Sequence, residues 1–185
     1  MTPSSGPRKR TPTAVRAVIF DWGNTLMRDL GYSGPMCEWP RVELLPGTRK
    51  ALADLSGDFR LFAASNAGDS NADRMGRALA RVGIRDRFER IWTARELGWK
   101  KPDPRFFEEA VRGTGLLPAA CAAVGDDYAR DIVPAAAAGL WAVWLREGTE
   151  APGRPRFRRS REESAAEARA VIRSLEDLPG VLRAL

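Results

Sequence analysis

Two apolar runs that each end in carboxylates constrain this chain more than any other feature. The first is Val18-Ile19-Phe20-Asp21-Trp22-Gly23-Asn24-Thr25, and the second is Ala123-Val124-Gly125-Asp126-Asp127-Tyr128-Ala129-Arg130-Asp131. A continuous apolar run reads as a strand buried on both faces, as in a parallel sheet. In open α/β sheets the ligand site lies just beyond the carboxyl ends of the strands. Neighbouring placement of these two strands would gather Asp21, Asp126, Asp127 and Asp131 at one sheet edge. Like charges held so close repel one another unless a cation joins them. Oxygen-only ligands suit a hard ion such as Mg²⁺.

The rest of the pattern supports that sheet. Strands are expected at 14–20, 60–64, 88–92, 121–124, 140–145 and 171–172. Helices are expected near 48–55, 71–82, 102–113 and 129–138, with a further helical stretch before the last strand and a final helix from Glu176. Gly47 or Thr48 opens the first helix, Pro102 sits in the first turn of the third, and Gly139 stops the fourth. Residues 26–45 hold Gly31, Gly34, Pro35 and Pro40 and read as an irregular excursion. Alternating strands and helices predict an α/β fold: a three-layer, doubly wound, Rossmann-like parallel sheet. The domain reading is a disordered basic tail over 1–13 and one domain over 14–185.

Composition excludes several functions. There is no histidine, which removes His-dependent triads and most zinc sites. Cys37 and Cys121 have no metal or redox spacing and are expected to be reduced thiols in a cytoplasmic protein. No apolar run reaches the ~18–20 residues of a membrane span. The basic start lacks a signal-peptide core, since Arg16 and Asp21 break the apolar run after it. The net charge of +6 is carried by the 1–16 tail and an Arg-rich loop over 146–161. Without an aromatic ladder or nucleic-acid motif, those segments read as solvated flanks, and a nucleic-acid partner is not expected.

Four motifs, taken in order, resemble the haloacid dehalogenase-like superfamily of Mg²⁺-dependent, aspartyl-nucleophile hydrolases. They are Phe20-Asp21-Trp22-Gly23-Asn24-Thr25; the strand Leu61-Phe62-Ala63-Ala64 ending in Ser65-Asn66; Lys101-Pro102-Asp103-Pro104; and Val124-Gly125-Asp126-Asp127 with Asp131. The resemblance implies that Asp21 is the nucleophile and forms an aspartyl-phosphate. It implies Mg²⁺ on Asp21, the backbone carbonyl of Gly23, and Asp126, with Asp127 and Asp131 supporting the metal. It implies that Ser65, Asn66 and Lys101 hold the phosphate, and that Lys101 also neutralises Asp21. From the residues alone, Asp21 can equally cap a turn, Ser65 can be a turn serine, Asp131 can be a first-turn helix residue, and Lys100 can replace Lys101. Only four of 30 basic residues are Lys, yet two are adjacent here, which favours a compact point charge before Pro102.

The chain departs from the phosphatase pattern in two ways. Gly23 stands where the family's acid/base Asp is found two residues after the nucleophile. Glycine offers a carbonyl but moves no proton, and general acid–base help is worth ~10²–10⁴ in rate. The segments separating Asp21, Ser65 and Lys101 are also too short for a usual cap domain, so an open site is expected, with Tyr32, Glu38 and Trp39 as local contacts. The resulting expectation is a cap-less Mg²⁺-dependent phosphohydrolase acting on a phosphorylated small molecule or macromolecule, with a neighbouring subunit able to complete the site. The alternatives are a weakly active or non-catalytic phospho-ligand or partner binding protein, and a hydrolase of a different bond.

Overall fold

In this computed structural model, residues 14–68, 70–146 and 168–185 are described. Their strands are β1 (Ala17–Phe20), β2 (Arg60–Ser65), β3 (Arg90–Thr93), β4 (Cys121–Gly125), β5 (Trp141–Leu145) and β6 (Ala170–Ile172). They form one sheet in the order β3-β2-β1-β4-β5-β6, and every neighbouring pair is parallel. The helices are α1 (Thr48–Leu55), α2 (Ala72–Arg81), α3 (Ala94–Leu97), α4 (Arg105–Thr114), α5 (Val133–Ala137) and α6 (Leu178–Arg183). Among the described residues no helix is long and apolar enough to cross a membrane.

The pleat of β1 sorts its side chains between two cores. Val18 and Phe20 pack on one face with Leu52, Leu55, Met75, Leu79 and Leu178, so α1, α2 and α6 cover that side. Ala17 and Ile19 pack on the other with Phe62, Phe106, Phe107, Ile132 and Ala135, so α4 and α5 cover the opposite side. Both faces of the sheet are therefore dry, which is why its strands read as unbroken apolar runs. Phe20, Phe62 and Phe106 are fully buried, each contributing about 1.5–3 kcal/mol by area.

The three-layer parallel architecture matches the expectation, and the boundaries differ in instructive ways. β1 begins at Ala17 rather than at 14. The helix expected from Pro102 begins at Arg105, whose N–H donates to the Asp103 carboxylate at 3.0 Å. The helix expected over 129–138 opens with a π-helical turn, Tyr128–Ile132, before α5. Helix α3 was not anticipated; its Thr93–Glu96 capping box supplies the signal, with the Glu96 carboxylate taking the Thr93 N–H at 2.8 Å. The basic tail over 1–13, the Arg-rich loop beyond Arg146 and most of the helical stretch expected before β6 lie outside the described residues.

Between Asp21 and α1 the chain makes the irregular excursion. Its regular structure is one 3-10 turn, Met36–Glu38. The excursion is tied at both ends of its path. Thr48 does not cap α1; its hydroxyl, fully buried, donates to the Leu26 carbonyl at 3.2 Å, while Gly47 occupies the cap with φ 78°. The Arg81 guanidinium at the end of α2 donates to the carbonyls of Cys37, Trp39 and Pro40 at 3.0, 2.6 and 3.3 Å.

Candidate active site

The site sits where the strand order reverses. From β1 the chain runs outward through β2 to β3, then crosses back to β4 on the other flank of β1. The crevice beyond β1 and β4 is thus the topological switch point, where α/β sheets bind ligands. Asp21 is the first residue past β1, and its N–H still donates to the Val124 carbonyl at 2.8 Å. That bond fixes Asp21 against β4, whose exit carries Asp126. Reactive oxygens of Asp21, Asp126 and Asp131 lie within 4.8 Å of one another.

Thr25 joins two of them. Its hydroxyl lies 3.1 Å from Asp21 Oδ2 and 3.4 Å from Asp126 Oδ1, and the residue is fully buried. The turn that delivers it runs through Asn24 at φ 57°, a left-handed conformation that asparagine tolerates, and the Asn24 side chain accepts the Asp29 N–H at 2.9 Å. Asp126 is anchored from the far side by the Trp144 indole N–H, which donates to its backbone carbonyl at 3.0 Å.

Lys101 is the centre of the charge arrangement. Its Nζ is 2.7 Å from Asp21 Oδ1 and 2.8 Å from Asp131 Oδ1, and its side chain is 2% exposed. Lys100, its exposed neighbour, lies outside the cavity. The Asn66 amide holds the Lys101 backbone from both sides: Nδ2 donates to the Lys101 carbonyl and Oδ1 accepts the Lys101 N–H, each at 2.8 Å. Asn66 therefore spends its side chain on positioning Lys101. The rings of Phe106 and Phe107 flank the ammonium at 5.2 and 5.7 Å.

Burial works against the charged ammonium, but the adjacent Asp131 and Asp21 carboxylates outweigh it, so the Lys101 pKa stands above the ordinary lysine value. Burial drives Asp131 the other way, up to about 7, against the pull of Lys101. Lys101 is shared between two carboxylates, and Asp131 is the more deeply buried of the two, so burial weighs heavily on its charged form.

Asp127 and Asp131 are held by the π-helical turn. Asp127 Oδ1 accepts the N–H groups of Ala129 and Arg130 at 3.1 Å, and its own N–H donates to Asp131 Oδ2 at 3.1 Å. Both oxygens of Asp131 are thus engaged, one by Lys101 and one by the backbone. Gly125 makes this possible. A Cβ built there would fall inside van der Waals contact with Asp131 Cβ, Cγ and Oδ2. On the opposite wall the Ser65 hydroxyl accepts the Ala67 N–H at 3.2 Å.

All eight residues singled out in the sequence, Asp21, Gly23, Ser65, Asn66, Lys101, Asp126, Asp127 and Asp131, line one cavity of about 130 Å³, joined by Arg130. Tyr32 and Trp39 line a neighbouring cavity, and Glu38 lines neither. Sequence reasoning assigned no role to Thr25, Gly125 or Trp144, although the first two stand inside the quoted motifs. The donor set is all oxygen and carries excess negative charge, which fits a hard divalent cation.

Comparison with known proteins agrees with this geometry. A family model described as haloacid dehalogenase-like hydrolase matches residues 36–139, more than half of the chain. The chain is 43% identical over 72 residues to the Bos taurus haloacid dehalogenase-like hydrolase domain-containing protein 3, covering 38% of this chain and 29% of that one. It is 37% identical over 108 residues to the glyceraldehyde 3-phosphate phosphatase of Methanothermobacter thermautotrophicus, covering 57% and 46% respectively. In both cases the matched stretch is less than half of the relative's length. In fold it resembles the crystal structure of an uncharacterized protein from Listeria monocytogenes serotype 4b, with TM-score 0.75 and 24% identity over 92% of this chain and 100% of that one. With four motifs converging on one crevice and the family match spanning three of them, the chain belongs to the haloacid dehalogenase-like hydrolases.

Proposed function

We propose that this hydrolase is an Mg²⁺-dependent phosphohydrolase that transfers a phosphoryl group to Asp21 and then to water. The observation that carries the reading is the Lys101 ammonium held between Asp21 and Asp131 at 2.7 and 2.8 Å, beside Asp126 and open to a cavity. A nucleophilic carboxylate needs its charge balanced when it meets an anionic substrate, and Lys101 is placed to balance both. The name of the Methanothermobacter relative, a phosphatase, points the same way.

Asp21, Asp126 and the Gly23 carbonyl would hold the metal, with Asp127 and Asp131 supporting from behind. When bound, the ion supplies charge neutralisation between carboxylate and phosphate. Asp21 attacks phosphorus with the oxygen not committed to Lys101. Thr25 keeps the Asp21 and Asp126 carboxylates in fixed relation. Ser65 and the backbone N–H groups that follow it receive phosphate oxygens. The Asn66 side chain, for its part, fixes where the lysine stands. No step asks Gly23 for a proton, so the leaving group must depart without one from that position.

The test is hydrolysis of acetyl phosphate with Mg²⁺, with and without chelator, in wild type and Asp21→Asn. The expected result is chelator-sensitive turnover, a trappable acyl-phosphate on the wild type, and neither in the well-folded variant. Turnover that survives Asp21→Asn overturns the mechanism.

A further inference from the structure

A second cavity, of about 390 Å³, opens beside the carboxylate cluster, and Gly23 and Ser65 form part of both walls. Its apolar lining is Trp22, Tyr32, Met36 and Trp39 from the excursion, with Met75 from α2, and Asp29, Ser70 and Arg74 line it as well. The polar handles of the two indoles are already used inside the wall. Trp22 Nε1–H donates to Met36 Sδ and Trp39 Nε1–H to the Gly34 carbonyl, each at 2.8 Å. What the rings offer the cavity is therefore apolar surface and aromatic edge. Tyr32 stands against Trp39 in a T-shaped pair, centroids 5.6 Å apart, and remains 45% exposed despite its size.

This wall is fixed before any ligand arrives. Arg81 grips three carbonyls around the 3-10 turn. Gly31 and Gly34, at φ 74° and 79°, make the bends that carry Tyr32 to its place, and neither backbone conformation suits a residue with a Cβ. A preformed aromatic cavity of this size takes a small molecule with a flat body. The two thioethers, Met36 and Met75, adapt to its outline.

Gly23, at the junction, contributes an independent argument. It lies between the phosphate side and the aromatic side and carries no acid. An aliphatic alcohol is a far weaker acid than a phenol, whose pKa is about 10, so an alkoxide is a much poorer unprotonated leaving group than a phenolate. A leaving group that fits the aromatic cavity is thus also the kind that departs without protonation.

We propose that the second cavity is the leaving-group subsite for a small aryl phosphomonoester, a proposal that rests on the phosphohydrolase reading. In the first step an Asp21 oxygen forms a bond to phosphorus as the P–O(aryl) bond breaks, and the bonding pair leaves on the phenolate oxygen. In the second, water attacks the acyl-phosphate, releasing inorganic phosphate and regenerating the Asp21 carboxylate, with the water proton passing to solvent or the phenolate.

The probes are 1-naphthyl phosphate, which fills the aromatic side, and acetyl phosphate, which occupies only the phosphate side. Tyr32→Ala, at an exposed position that leaves the fold intact, should raise KM for naphthyl phosphate about tenfold and leave acetyl phosphate kinetics within about twofold, the scale of a lost aromatic contact. Calorimetric titration of Asp21→Asn with 1-naphthyl phosphate gives the same comparison without turnover, and adding Tyr32→Ala should weaken that binding by the same factor. Unchanged KM and unchanged binding in the Tyr32 variants overturn the subsite, as does an equal loss for both substrates. Should wild type hydrolyse neither compound while naphthyl phosphate still binds in a Tyr32-dependent way, the cavity remains an aryl-phosphate binding site and it is the phosphohydrolase reading, with the leaving-group role, that falls.

Discussion

Replacing Lys101 by Met tests whether one buried cation holds the carboxylate cluster together. The substitution keeps most of the side-chain volume, and a thioether is at home between Phe106 and Phe107, so the cavity cost is small. What is lost is charge. At an effective dielectric of about 20, each contact near 2.8 Å is worth about 6 kcal/mol of Coulomb attraction before the cost of drying the ions. That cost cancels much of it, and removing one member of a buried pair typically destabilises by about 3–5 kcal/mol. For a chain of this length each kcal/mol moves the melting point by about 2–4 °C, so the variant should melt about 6–20 °C lower. The assay is urea and thermal denaturation with chelator present, on Lys101→Met, Asp131→Asn and the double variant. The double variant should be more stable than the sum of the singles by more than about 1 kcal/mol, because it removes both the cation and the carboxylate it balances. A loss below about 1 kcal/mol in Lys101→Met, or strict additivity, would refute the reasoning.

Gly125→Ala should cost about 1–3 kcal/mol and most of the activity, because its Cβ would occupy the space of Asp131, which cannot swing away from Lys101 and the Asp127 N–H. Gly57→Ala, where a Cβ meets nothing within 4 Å, is the control and should be neutral or slightly stabilising; equal melting points for the two variants would contradict the packing described. Gly23→Asp should fold normally, since Gly23 is not in the left-handed region and a Cβ there also meets nothing within 4 Å. Its kcat should rise more for an alkyl than for an aryl phosphate, within the ~10²–10⁴ range of general acid catalysis, and equal gains on both would show that leaving-group protonation is not what the wild type lacks.

The site was legible where one residue type does one job at the end of one strand. Asp21, Ser65 and Asp126 follow apolar runs, and the sheet places any such residue at the same rim. Lys101 stood out by composition, as a lysine kept in an arginine-rich chain, and its ammonium stands 2.7 Å from Asp21. What escaped reading was relational. Thr25 matters because it touches two carboxylates that follow neighbouring strands far apart in sequence, and Gly125 because of a side chain six residues on. The Asn66 side-chain amide serves the lysine backbone, a partnership no local pattern announces. The aromatic cavity escaped for the same reason: Trp22, Tyr32, Met36, Trp39 and Met75 follow no period, because a loop pinned by Arg81 assembles them.

The π-helical turn at Tyr128–Ile132 has a consequence for what lengths this segment can take. A π turn holds about one residue more than an α turn, and each residue advances an α-helix by about 100°. Removing one residue between Asp127 and Asp131 would let the turn relax to ordinary winding, with little loss of helix or core. It would also rotate the Asp131 carboxylate by about that angle, away from the ammonium it now meets at 2.8 Å. The phase of the winding is thus part of the site: a single deletion there would leave the fold standing and put the carboxylate cluster out of register with its lysine.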